Sequence, residues 1–142
     1  MFENLPKNQN NDRILLPNSS RKLDLPDGRI VTPSFVLREE SQELILSCGY
    51  NKGASSTSRH EEIHSILIPA HAIRQIQTRG IGLKLFGGAF VDATFIFDRT
   101  YEAKMMDTTG NIRYQDTDKF QMPLKHKDLE ILIERINLLN IN

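Results

Sequence analysis

Apolar and polar positions alternate at period two through most of this chain and switch to period 3.6 only near its end. Period two marks strands, because successive side chains on an extended backbone point to opposite faces. A brief apolar run at residues 14–16 is followed by alternation over residues 22–25. That run meets Pro26-Asp27-Gly28 and returns through Arg29, Ile30 and Val31. Proline presets φ, aspartate caps the turn and glycine accepts positive φ, so a tight hairpin is predicted. Residues 34–37 and 43–48 form a second pair of β-rich runs around the polar stretch 38–42, and residues 63–68 are apolar again.

The clearest local pattern follows. Ile81, Leu83 and Leu85 alternate up to Gly87-Gly88, and Ala89, Val91, Ala93, Phe95 and Phe97 alternate on the way back. Two alternating runs around Gly-Gly predict a hairpin with a two-residue turn. Tyr101, Ala103 and Met105 alternate next, residues 107–111 turn, and Ile112 and Tyr114 lead back. Phe120 and Met122 add a short final strand before Pro123.

Two helices are predicted. Pro69 suits a first helical position, Ala72, Ile73 and Ile76 fall on one face, and Gly80 can stop the helix. Near the end, Leu129, Leu132, Ile133, Ile136 and Leu139 make one apolar face, which Ile131 and Leu138 widen. An isolated helix of this length is marginal in water. It is expected to pack on an open sheet face of its own chain, the same helix of a second copy being the competitor.

Hairpin-linked strands followed by a helix read as α+β. The expectation is a mainly antiparallel β-sheet, or a small partly closed barrel, with a short mid-chain helix and a C-terminal amphipathic helix. Residues 1–12, rich in asparagine, read as a flexible N-terminal tail, and residues 13–142 as a single α+β domain.

Charge removes some function classes. Eighteen basic and eighteen acidic side chains cancel, and neither half of the chain carries an excess of more than one charge. A neutral chain has no global field to draw in nucleic acid or an anionic membrane. It also lacks the self-repulsion that keeps small proteins apart, so a homo-oligomer is expected. Cys48 is the only cysteine, which rules out an internal disulfide and favours a reducing compartment. No apolar run approaches the ~20 residues that span a bilayer, and no apolar leader is visible. The expected location is the cytoplasm.

The sharpest chemical motif is His60-Glu61-Glu62-Ile63-His64, which fits H-E-x-x-H. On a helix, His60 and His64 would share a face and bind one zinc, with Glu61 as general base on the metal-bound water. Over these five residues the chain resembles the active-site helix of zinc metallopeptidases, which implies a zinc-dependent hydrolase. His71 or His126 would supply a third ligand. Against that reading, Ile66, Leu67 and Ile68 favour a strand, in which His60 and His64 would stand roughly 13 Å apart.

A second lead is electrostatic. No acidic residue occurs between Glu62 and Asp92, a stretch holding His71, Arg74, Arg79 and Lys84 with glycines beside them. Arginine forks and glycine-flanked amides suit phosphate or carboxylate. The polar run 49–59 reads as a loop, with Tyr50 before it as a contact residue. Cys48 reads as a small buried hydrophobe and the Phe95 and Phe97 pair as core. Asp92 and Asp98 share strand parity, so they are a conceivable carboxylate pair.

These features point to a non-enzymatic binding, accessory or inhibitory protein without a cofactor. It would dock on a protein partner or capture a small anionic ligand through His71, Arg74, Arg79 and Lys84. A zinc hydrolase and a nucleic-acid-binding small barrel are the alternatives.

Overall fold

The computed structural model describes residues 14–15, 23–24, 30–51, 62–80 and 90–141. They form eight strands and one helix: β1 (Ile14–Leu15), β2 (Leu23–Asp24), β3 (Ile30–Arg38), β4 (Glu43–Asn51), β5 (Glu62–Pro69), β6 (Ile73–Gly80), β7 (Phe90–Asp107), β8 (Ile112–Lys125) and α1 (His126–Ile141). All pairings are antiparallel and belong to one sheet of order β1-β3-β4-β5-β7-β6, with β2 also on β3 and β8 on β7. The sheet curls into a half-barrel accompanied by the C-terminal helix, the α+β arrangement that the sequence predicts.

β7 organises the sheet. β8 pairs with both of its halves, along residues 90–96 and 101–106. A strand has only two edges, so its other neighbours must share the remaining one. β6 takes the first half, from Ile73 opposite Phe97 to Gly80 opposite Val91, and β5 takes the second, from Ile66 opposite Ala103 to Glu62 opposite Asp107.

Alternation builds the core. Val31, Phe35 and Leu37 on β3 face Tyr50, Leu46 and Leu44 on β4, and Ile66 and Ile68 on β5 continue the layer. Val91, Ala93, Phe95 and Phe97 on β7 are joined by Leu124, Met122 and Phe120 on β8. α1 follows β8 directly and buries Leu129, Leu132 and Ile136 in the same cluster, while Leu138 on its flank is exposed. The competing arrangement, with this face spent on a second copy, is thus not needed to cover it. Burying a leucine or isoleucine contributes roughly 1.5–3 kcal/mol, which outweighs the weak intrinsic helicity.

α1 closes one end of the half-barrel. It packs on β8 and on the turn Ala70–Ala72, and Arg135 forms an ion pair with Glu39 in the β3–β4 turn. The Ala70 amide donates to the Gln42 carbonyl of that turn at 2.7 Å.

Four expectations change. The mid-chain helix shrinks to one 3-10 turn, Ala70–Ala72, and residues from Ile73 onward form β6. Its helix-like spacing has a different cause. Ile73 pairs with Phe97 and Gln75 with Ile96, so Arg74 is an extra, bulged residue. A bulge shifts the phase by one, which puts Ile73 and Ile76 on one face three residues apart. Second, residues 91–97 pair with residues 73–80, which the sequence reads as helical; the predicted Gly87-Gly88 turn and its arm 81–86 lie outside the described residues. Third, Gly49, Tyr50 and Asn51 extend β4 instead of opening a loop. Fourth, β8 runs as one strand through Pro123, beside a single neighbour, where a missing N–H is tolerated. Residues 1–12, the Pro26-Asp27-Gly28 turn, residues 52–61 and residues 81–89 lie outside the described residues. Among the described residues no helix is long and apolar enough to cross a membrane.

Candidate functional site

Register makes the site. Across the inward face, Phe35, Leu46, Ile66, Ala103 and Gln115 lie side by side on five neighbouring strands. The next row is Pro33, Cys48, His64, Met105 and Arg113, and the next is Val31, Tyr50, Glu62 and Asp107. Moving away from α1, the face changes from aliphatic to polar within two rows. Ile68 and Ile66 are buried, whereas His64 and Glu62, at the following alternate positions of β5, are each 31% exposed. Glu62 and Pro69 are about 23 Å apart along the strand, so the polar rows lie at the end of the half-barrel remote from the helix.

A second irregularity opens this end. Ile96 pairs with Lys119, but the next pair is Tyr101 with Thr117, so five steps on β7 match two on β8. Phe120 lies opposite core Phe95, while beyond the break Thr117 and Gln115 lie opposite Tyr101 and Ala103. The Thr117 hydroxyl donates to the Lys119 carbonyl at 2.8 Å across this break. At the bend, the Tyr101 hydroxyl donates to Asp98 at 2.8 Å and Arg99 Nε donates to the Tyr101 oxygen at 3.2 Å. Hydrogen bonding to Tyr101 is the main reason the Arg99 guanidinium binds its proton still more tightly than usual.

The result is a cleft of ≈ 510 Å³ between β4, β5, β7 and β8. Its volume falls in the range of small-molecule sites. Tyr50, buried Asn51, Glu62 and His64 form one side; Ala103, Met105, Gln115 and Thr117 form the base; Lys119, Gln121, Pro123 and Asp92 form the other side. His64 Nε2 donates to Glu62 Oε1 at 2.7 Å, since an ionised carboxylate only accepts. Glu62 Oε2 is 3.9 Å from Arg113. The Tyr50 ring stands 5.0 Å from the His64 ring at 55°, and its hydroxyl donates to the Gln121 carbonyl at 3.3 Å, bridging β4 to the edge of β8. The Gln121 amide in turn donates to Asp92, which also accepts from Arg79 at 3.4 Å. In the β7–β8 turn, Asp107 accepts the Thr109 hydroxyl at 2.7 Å and the Thr109 and Asn111 amides at 2.9 and 3.0 Å. These bonds, the Thr109 hydroxyl foremost, hold the Asp107 carboxyl below the usual carboxylate range.

Of the residues singled out by sequence, Tyr50, His64 and Asp92 line this cleft. His64 lies on an extended strand, so the helical geometry that the zinc reading requires is absent there; His60 and Glu61 lie outside the described residues. Among the described residues no three His, Cys, Asp or Glu side chains are grouped to hold a metal ion. The basic segment is spread out. His71 is exposed on the 3-10 turn, Arg74 is the bulged residue, Arg79 pairs with Asp92, and Lys84 lies outside the described residues. Arg74 and Arg79 are about 16 Å apart along β6 and do not converge on one cavity. Asp92 and Asp98 do not pair; the first serves Gln121 and Arg79, the second Tyr101. Cys48, Phe95 and Phe97 are core, as expected.

Glu62, Gln115, Thr117, Lys119 and Gln121 were not visible as site residues in the sequence. Only the register places them together: across the break between Ile96 and Tyr101 the face of β8 opposite the core positions of β7 passes from Phe120 and Met122 to Thr117 and Gln115. Compared with known proteins, the chain matches no family model, no curated protein and no solved structure.

Proposed function

We propose that this protein is a binding module that captures a small polar ligand in the cleft at the open end of its half-barrel, without turning it over. The observation that carries this reading is the change of the inward face from Leu46, Ile66 and Ala103 to Tyr50, Glu62 and His64 around a ≈ 510 Å³ cavity. A face built for packing alone would continue aliphatic. Polar groups partly withdrawn from water are costly unless they meet partners, and here they are arranged around a space that a ligand can fill.

Binding rather than covalent catalysis is supported by how the hydroxyls are engaged. Tyr50 donates to the Gln121 carbonyl and Thr117 to the Lys119 carbonyl. His64 has Glu62 as its partner, and the Cys48 thiol, its neighbour across the β4–β5 pair, is buried and donates to the Gly49 carbonyl.

The test is amide NMR of the full chain against a fragment library of neutral, anionic and cationic compounds. Perturbations should cluster on residues 50, 62, 64, 119 and 121. His64→Ala should weaken the hits by about tenfold, whereas replacing His71 and Arg74 together should leave them unchanged. Perturbations confined to residues 71–79 would move the site to the basic segment and refute the cleft.

Docking on a protein partner or on a second copy is a further reading. What supports it is the outward face of the β7–β8 hairpin, where Ile112 and Tyr114 are 45% and 59% exposed.

A further inference from the structure

We infer that the ligand of this cleft is a flat aromatic or heteroaromatic ring carrying one anionic group, a carboxylate or a phosphate; the inference rests on the reading of the cleft as a ligand site.

Charge points to the anion. Both acids in the lining already have donors. Glu62 accepts from His64 at 2.7 Å and faces Arg113 at 3.9 Å, and Asp92 accepts from Gln121 and Arg79. Among the described residues, Lys119 is the charged group of the lining that has no opposite partner. An anion would complete it, with the strength of a charge-assisted hydrogen bond. A cation would instead have to compete with His64 or Arg79 for carboxylates that they already hold.

Shape points to the ring. Tyr50 and His64 line the cleft as a packed aromatic pair, their ring centroids 5.0 Å apart at 55°, and Met105 lies directly across the β5–β7 pair from His64. Aromatic faces and a polarizable thioether favour a flat aromatic guest over an aliphatic one of equal size.

Spacing joins the two. The Tyr50 hydroxyl is anchored on the Gln121 carbonyl, and Lys119 is two residues away on the same strand, about 7 Å along it. A ring laid on Tyr50 therefore brings a substituent one or two bonds off the ring within reach of the ammonium.

Five probes separate these elements in amide NMR and calorimetric titrations of the full chain: phenylacetate, phenyl phosphate, the neutral phenylacetamide, the cationic phenethylamine and the non-aromatic cyclohexylacetate. Phenylacetate or phenyl phosphate should shift the amides of residues 50, 64, 119 and 121, and whichever of the two binds more tightly identifies the anion. Phenylacetamide and cyclohexylacetate should bind about tenfold more weakly, one charge-assisted or stacking contact being lost in each. Lys119→Ala, at an exposed position, should reduce the anion to the level of the amide and leave the amide unchanged. Tyr50→Leu should abolish the preference of phenylacetate over cyclohexylacetate. Phenethylamine binding at these residues with both anions silent would overturn the assignment while leaving the cleft a ligand site. Silence of all five probes, with library hits still mapping to the cleft, would also overturn the ring-and-anion assignment alone. Silence of both sets would overturn the reading beneath it.

Discussion

Glu62 and His64 show how one strand can serve two purposes. Their alternate positions on β5 are those of Ile66 and Ile68, so the same periodicity that buries isoleucines delivers a carboxylate and an imidazole to the cleft. The opposite behaviour is expected where the row is fully apolar. Leu132 has no exposed surface, and Leu132→Ala should cost about 2–5 kcal/mol in urea unfolding, through lost burial and the cavity left behind. A cost under 1 kcal/mol would mean that α1 does not hold the core. Asp107 provides a pH prediction. Its folded-state pKa lies below that of the unfolded chain, so its contribution is present above the ordinary carboxylate pKa and is lost as pH falls through the depressed value. The protection of the Thr109 and Asn111 amides, taken relative to their intrinsic exchange rates, should therefore fall in that acidic window, and in Asp107→Asn it should no longer change with pH there.

Most strands were legible because alternation survives wherever a sheet has one buried face. The elements that were misread share one physical cause, a local change of phase. At β6 the bulged Arg74 turns a period of two into a spacing of three, which imitates a helix face. At β8 the register break makes one strand read as two pieces, Ile112 and Tyr114 on one side and Phe120 and Met122 on the other. The turn around Gly87-Gly88 lies outside the described residues, and the antiparallel pairing of residues 91–97 with 73–80 was hidden because the bulge makes residues 73–76 imitate a helix face. The bulge is directly testable. Deleting Arg74 leaves Ile73 and Ile76 two apart, in step with Phe97 and Phe95, so the fold should survive with little change in the denaturant midpoint. Deleting Leu46, in a regular ladder, inverts the rest of β4 and should abolish cooperative unfolding.

For the whole molecule, the helix and the cleft divide the half-barrel between them. One end is sealed by Leu129, Leu132 and Ile136, and by Arg135 on Glu39; the other ends in polar rows. The central placement of β7 has one more effect. Residues 93–97, Ala-Thr-Phe-Ile-Phe, carry no charge and no proline and are rich in β formers, the composition of a fibril-forming segment. In the native sheet both sides of that segment are occupied, by β6 and β8, so it offers no free edge for another molecule to template on. Truncating the chain after Lys125 should remove the helix that pins β8 in place and make thioflavin-positive aggregation rapid at neutral pH. The further change Phe95→Lys should suppress it. The fold thus keeps its most hazardous stretch of sequence sequestered by position alone, and any event that lifts β8 away would convert the sheet into a seed.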